Sequence, residues 1–439
     1  MMIFSSLLFG LFCLFREINL ILKKKTINIV NIFGIMYGMT YGILTAYYLH
    51  YTQYHEIQYH RILQQSSSDL WLWHVYAIVS YVVIQVVYYN VCSKKIIDTT
   101  IMKETRKKEI DILQWTAIIC ALIGTVSFCL WGSVYESVLD MIIEGNKIRS
   151  GVPEIYNPYS FMIRWVNLLF ISILLFIKLI KLGVHKKLNL IILFPLVYIN
   201  IIYLLVCDGR LMMAMFTVLV ILSSFDLLKI GNVNRKYLVV LACVGIFALM
   251  LVLKLDGITY YIRTDEILDE SDLAYENNFI VDEFGYIFKS AQQASSQCLT
   301  IGSPLLLVDD LVMGLFAWIP SRFKPDLDLV NIWNYNTDLY FNGSFSGQMP
   351  CDFVTHSLYT CGIFGSMFMV IIWSLMIVLS DNIIRKNNDP FLEGLGYYMV
   401  YRFIYLVNYC SIFYFIQGLF SVFMAVIIWR MVKYIYSRR

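Results

Sequence analysis

The chain has 439 residues, 59% hydrophobic and only 15% charged, with a mean hydropathy of +0.67 and a formal net charge of +3. Soluble domains carry about 25% charge, so this balance excludes a soluble globular protein and indicates an integral membrane chain. Ten cysteines are scattered, mostly inside apolar runs, and no Cys-x-x-Cys or Cys/His spacing suits a metal.

The chain opens on a short apolar run, 1–15, that is expected to cross the membrane with local thinning. It lacks the basic n-region and small-residue cleavage site of a signal peptide. Further spans are expected at 28–48, 71–91, 112–131, 161–179, 188–206, 211–228 and 237–255. After a long stretch at 256–352 come three more, 353–379, 395–413 and one with its core at 420–432. The segment 135–158 reads as a loop with partial helix. The expected architecture is an all-α polytopic membrane protein of about eleven spans. Its parts are residues 1–255 with eight spans, a large external loop at 256–352 holding short amphipathic helices, and 353–439 with the remaining three.

Charge placement gives the orientation. One alternating set of joints, beginning at Lys23-Lys24-Lys25, collects 23 of the 34 Lys and Arg. By the positive-inside rule that set is cytoplasmic. The loops at 51–70, 134–160, 207–210 and 256–352 are then external, and the C-terminus is cytoplasmic.

The long stretch is where polar chemistry has room. It holds 15 Asp and Glu against four basic residues, Arg263, Lys289, Arg322 and Lys324. Aromatics and Pro punctuate it, as expected of a folded loop rather than a linker. Cys298 and Cys351 both lie in it and could form a disulfide. Apolar 304–318, interrupted by Asp309 and Asp310, suggests an amphipathic helix lying in the interface. Such a helix would hold Arg322 at headgroup height beside Lys324.

Candidate site residues follow from charge and position. Arg210 sits in the four-residue turn Cys207-Asp208-Gly209-Arg210, near a helix N-terminus that favours anions. A fixed guanidinium there suits a phosphate, although a snorkelling Arg paired with Asp208 has the same position. Arg263 and Arg322 are two further external cations. Arg164 and Arg402 lie inside expected spans, where a charge is costly and faces a cavity or a partner. His356 is a neutral-pH proton carrier at the start of a span. Glu283, Asp265 and Asp208 are the carboxylates available as a general base. Trp318 and Tyr340 suit sugar stacking, and interfacial aromatics are also common in any membrane protein. There is no P-loop, GxGxxG or HExxH motif. Neither a cofactor nor a metal is expected.

The span layout and the Gly209–Leu211 turn, with the long external loop, resemble the O-antigen (oligosaccharide repeat-unit) polymerases of the Wzy type. So do Tyr340-Phe341-Asn342-Gly343-Ser344, Gly347-Gln348-Met349-Pro350-Cys351-Asp352 and Gly362-Ile363-Phe364-Gly365. In that family a Gly-Pro run leads to an aromatic and a Gly-x-x-Gly helix start. The resemblance implies a metal-independent membrane glycosyltransferase similar to the C-type glycosyltransferases (GT-C-like). Its substrate would be an undecaprenyl-pyrophosphate-linked oligosaccharide at the outer face of a bacterial inner membrane. The product would be O-antigen, for lipopolysaccharide, or a capsular or exopolysaccharide. It implies pyrophosphate contact by Arg210, Arg263 and Arg322, and acceptor activation by His356 or a loop acid. The implied partners are the lipid-linked glycan, membrane lipids and a chain-length regulator protein, with no nucleic acid. Two rival readings share parts of this layout: an O-antigen ligase-like transferase, and a lipid-linked oligosaccharide flippase. A flippase is expected to show more spans and internal symmetry.

Overall fold

A computed structural model describes residues 1–24, 27–53, 58–59, 62–63, 70–92, 107–149, 155–208, 210–225, 279–300, 302–319, 323, 325, 327–341, 348–386 and 389–438. These residues are almost wholly helical, apart from a two-residue antiparallel hairpin, Gln58–Tyr59 with Ile62–Leu63. In chain order the helices are α1 (Met2–Lys24), α2 (Ile29–Tyr51), α3 (Leu70–Val91), α4 (Lys107–Gly132), α5 (Val138–Arg149), α6 (Ser160–Lys181) and α7 (Lys186–Cys207). They continue with α8 (Arg210–Ser224), α9 (Phe279–Thr300), α10 (Leu307–Phe316), α11 (Ile332–Phe341), α12 (Phe353–Lys386), α13 (Pro390–Tyr405) and α14 (Ile412–Arg438). Eight of them, α1–α4, α6, α7, α12 and α14, are long and apolar enough to cross a membrane. The chain is therefore an all-α polytopic membrane protein. The span expected at 237–255 lies outside the described residues.

Polar contacts fix which helix ends lie together. Lys178, near the end of α6, pairs with Glu393 at the start of α13. Lys181 donates to the Ser223 carbonyl at the end of α8 at 2.9 Å. Arg385, at the end of α12, donates to the Ile27 carbonyl before α2 at 2.8 Å. The ends of α6, α8 and α12 thus meet the starts of α2 and α13 at one basic end of the bundle. The opposite end carries the starts of α6, α8, α12 and α14, and there α9, α10 and α11 are attached.

Several boundaries differ from the sequence expectation. The first span does not stop at Phe15 but runs to Lys24 as one helix. Its interior charges, Arg16 and Glu17, pair with each other. Glu17 also accepts from Asn31 Nδ2 at 2.6 Å, Gln85 Nε2 at 3.0 Å and the Tyr81 hydroxyl. That fully buried carboxylate is solvated by α2 and α3 instead of water, so the helix continues through it. The run expected at 395–413 is broken. α13 starts at Asp389-Pro390, where the Asp389 carboxylate caps the Phe391 N–H at 2.9 Å and Pro fits the first turn. It ends at Tyr405, and a corner at 406–411 precedes α14. The long stretch holds not only short helices but the 22-residue α9.

A glycine track and one glycine break shape the packing. A Cβ on Gly42 would lie 2.2 Å from the Gly10 Cα, and one on Gly38 2.6 Å from the Cys13 Cβ. Gly34, Gly38 and Gly42 therefore form a four-residue-spaced track on which α1 crosses α2 at backbone contact. Gly362 breaks α12 with φ +69°, a left-handed conformation that glycine adopts without strain. The Gly362–Gly365 motif is thus a break inside a helix that began at Phe353. The carbonyls freed by the break are taken by the 302–306 loop. Ser303 Oγ donates to the Leu358 carbonyl at 2.7 Å, and the Leu306 N–H to the Tyr359 carbonyl at 3.1 Å.

Candidate functional site

The polar and aromatic side chains at the α9–α11 end gather around two segments: the turn 348–356 that starts α12, and the corner 406–411. The two are tied by a backbone bridge between Cys351 and Cys410, with the Cys410 N–H on the Cys351 carbonyl at 2.7 Å. Cys298 and Cys351, which could have formed a disulfide, are both free thiols. Burial pushes the Cys351 and Cys410 thiols well above the ordinary range, so both stay protonated and inert.

Asp352 anchors the turn. It is fully buried, and its carboxylate accepts from the Val354 N–H at 2.9 Å, the Tyr41 hydroxyl at 2.8 Å, Trp73 Nε1 at 3.1 Å and the Thr355 hydroxyl. Burial raises this carboxyl above the ordinary carboxylate range, and donors from Thr355, Tyr41 and Trp73 pull it back. It fastens α12 to α2 and α3.

Asp310 does the same work for the other helices. The sequence shows it only as an interruption of an apolar run. α10 turns Asp310 inward and leaves Val308, Leu311 and Leu315 exposed, so its polar side faces protein and its apolar side faces outward. Asp310 accepts the Ile412 N–H at 2.7 Å and the Phe413 N–H at 3.2 Å, the first free donors of α14. It also accepts the Ile332 N–H at 3.3 Å, at the start of α11, and the Ser411 hydroxyl at 3.2 Å. One carboxylate thus caps two helices.

His356 is fully buried, with its Nε2 at 3.6 Å from Asp310 and its ring beside Trp373. It faces protein and is closed to solvent. Trp318 donates through Nε1 to the Ile416 carbonyl at 2.8 Å and stacks on Phe423, which pins α10 to α14. Arg402 is buried, donates to the Tyr414 carbonyl at 2.6 Å and lies over the Tyr405 ring at 5.2 Å. Arg164 reaches the Ile319 carbonyl at 3.5 Å. Arg263, Asp265 and Arg322 lie outside the described residues, as do the side chains of Asp208, Arg210, Glu283 and Tyr340. The backbone at Arg210 is the first residue of α8, at the same end of the bundle as Arg402 and Asp352.

Aromatics from distant segments form a wall at this end. Trp333 stacks on Tyr414 at 4.0 Å, Tyr286 on Tyr409 at 5.4 Å, and Tyr409 on Tyr405 at 5.1 Å. Tyr405, Tyr409 and Tyr335 are partly exposed. The polar frame behind the wall is Asn336. Its amide nitrogen donates to Ser290 Oγ at 2.7 Å and the Met349 carbonyl at 3.1 Å, and its oxygen accepts the Tyr359 hydroxyl at 3.1 Å. Lys289 on α9 is buried, and burial pulls its ammonium below the ordinary lysine range. Tyr405 and Tyr409 are four residues apart, but Tyr286 lies 123 residues before Tyr409 and Trp333 81 before Tyr414, so no local spacing could have signalled the wall.

Together these groups offer stacking faces, buried amides and a cation at one end of a membrane bundle. That is binding chemistry for a polar, ring-containing ligand. The chain matches no protein-family model, no curated protein and no solved structure.

Proposed function

We propose that this chain is an oligosaccharide repeat-unit polymerase: a metal-independent, GT-C-like membrane glycosyltransferase of about eleven spans. The observation that carries the reading is the partly exposed tyrosine wall, Tyr405, Tyr409 and Tyr335, at the end of the bundle where α8 begins with Arg210. A glycan-handling surface at the bundle end where α8 begins suits a sugar joined to a lipid pyrophosphate. The layout and motifs resembling the Wzy type support the same reading.

In this reading the growing glycan is the donor and a new lipid-linked unit the acceptor, at the outer face of a bacterial inner membrane. The acceptor hydroxyl oxygen attacks the anomeric carbon of the donor. The anomeric carbon–oxygen bond to phosphate breaks, and undecaprenyl pyrophosphate leaves with the electron pair. Arg210, Arg263 and Arg322 neutralise the charge that develops on it. A loop acid, Glu283 or Asp265, takes the acceptor proton. His356 is a weaker candidate for that step, because it is enclosed against Asp310 and Trp373.

The test is the glycan ladder on a gel from a strain lacking the gene, complemented with wild type or Arg210→Ala at matched membrane abundance. A ladder collapsed to a single capped repeat, restored by wild type and not by Arg210→Ala, is the expected result. A full ladder left unattached to its final acceptor would mean a ligase. Lipid-linked units retained on the cytoplasmic side would mean a flippase and would end the catalytic reading.

A further inference from the structure

One ridge of α9 carries Tyr286, Lys289, Gln293 and Gln297, at steps of three or four residues that stack on one helix face. The same side packs on α11 and the corner. Tyr286 stacks on Tyr409, Ser290 bonds Asn336, and the Gln297 amide nitrogen donates to the Tyr335 hydroxyl. On these two helices Gln293 Oε1, Gln297 Oε1 and Asn334 Oδ1 are withdrawn from solvent and have no hydrogen-bond partner among the described residues. A buried polar atom left unpaired costs roughly 1–3 kcal/mol. Three of them on two neighbouring helices call for partners the chain itself does not supply. The unpaired atoms belong to neutral amides, so the partner presents hydroxyl or amide hydrogens rather than a metal or a phosphate. The partly exposed Tyr335 is bonded to Gln297, and an aromatic face accepts the apolar side of a ring.

We propose that Gln293, Gln297 and Asn334, with Tyr335, form a subsite for uncharged sugar rings. Resting on the polymerase reading, the subsite holds the glycan of the acceptor unit. A sugar ring supplies both things the site lacks: hydroxyls for the amides and a C–H face for the tyrosine. Hydroxyls donate and accept, so they satisfy each amide whichever way it is turned.

The test is binding of the purified full chain in nanodiscs to an array of soluble neutral and acidic oligosaccharides. Affinity for the best neutral glycan is then compared among wild type, Gln293→Leu, Gln297→Leu and Asn334→Ala. Each loss is expected to weaken binding about tenfold, the effect of one hydrogen bond worth about 1.4 kcal/mol. Gln293→Glu and Gln297→Glu keep an acceptor in place and are expected to retain most of the affinity. Asn334 is partly exposed, so its variant reads the site if a leucine variant fails to fold. Wild-type protein that binds no neutral glycan overturns the subsite and leaves the amides to internal water. So does binding that all three variants share. The ladder experiment judges the polymerase separately. A gene-dependent ladder with variant-insensitive sugar binding sinks only the subsite. Sugar binding that needs Gln293 and Gln297, with a ladder indifferent to the gene, sinks only the polymerase.

Discussion

Asp310→Ala should be the most damaging single change at the α9–α11 end. It removes the acceptor for three backbone N–H groups, of Ile412, Phe413 and Ile332, and for the Ser411 hydroxyl. A lost N-cap costs about 1 kcal/mol, and here one carboxylate caps two helices. The donors are buried, so each one orphaned adds roughly 1–3 kcal/mol until water enters. Relaxation recovers part of that sum, which leaves an expected loss of about 3–5 kcal/mol. Asp310→Asn keeps one carbonyl oxygen for the α14 donors and should lose about 1–2 kcal/mol. The chain carries its own reporters of unfolding. Cys13, Cys120, Cys351 and Cys410 are fully buried free thiols. In detergent, labelling by a thiol-reactive dye during heating should rise earliest for Asp310→Ala, then for Asp310→Asn, then for wild type. Ser411→Ala removes one of the four donors and should fall between Asp310→Asn and wild type. Coincident curves for Asp310→Ala and wild type would refute the double cap, and Ser411→Ala as damaging as Asp310→Ala would refute the division of its energy.

Two other predictions use the same assay. Gly42→Ala should lower the midpoint by an amount typical of overpacking, about 1–3 kcal/mol, because its Cβ would meet the Gly10 backbone at 2.2 Å. Gly132→Ala is the control: its Cβ meets only the Met141 side chain, at 3.4 Å or more, and it should melt with wild type. Lys289 gives a pH signature. Its folded pKa lies below the ordinary 10.5, so between the two values the unfolded chain holds a proton that the folded chain does not. Stability should therefore rise with pH across that window, up to about 10.5. Lys289→Met should lack that share of the rise; an unchanged pH profile in the variant counts against a desolvated Lys289.

Much of the fold was legible because the membrane imposes it. A run of some twenty apolar residues must be helical in lipid, and α3, α4, α6, α7, α12 and α14 stand where hydropathy put them. The errors came from charge. Arg16 and Glu17 looked like the end of a span, yet α1 runs through them because Asn31, Tyr81 and Gln85 replace water around the carboxylate. Lys178 falls at the end of the span expected at 161–179 and is buried against Glu393. Asp310 looked like the wet side of an interfacial helix and is its buried side. In each case the partner lies on another helix, and hydropathy carries no information about partners.

The sequence alone determined that the chain crosses a membrane many times and that its polar residues concentrate in one long stretch, since both follow from composition and run length. It also picked out Arg402 as an interior charge and Gly362 as a marked position. Only the tertiary structure decided what these residues do. It showed that Gly362 breaks a helix, that Arg402 serves a carbonyl and a ring, and that His356 is enclosed. It also brought Tyr286, Tyr335 and Tyr409 to one wall. The physical reason is that lipid acts on each segment separately and so writes itself into local sequence. A buried hydrogen bond or a stacked ring is made between segments far apart in the chain, and its geometry exists only once the helices have packed.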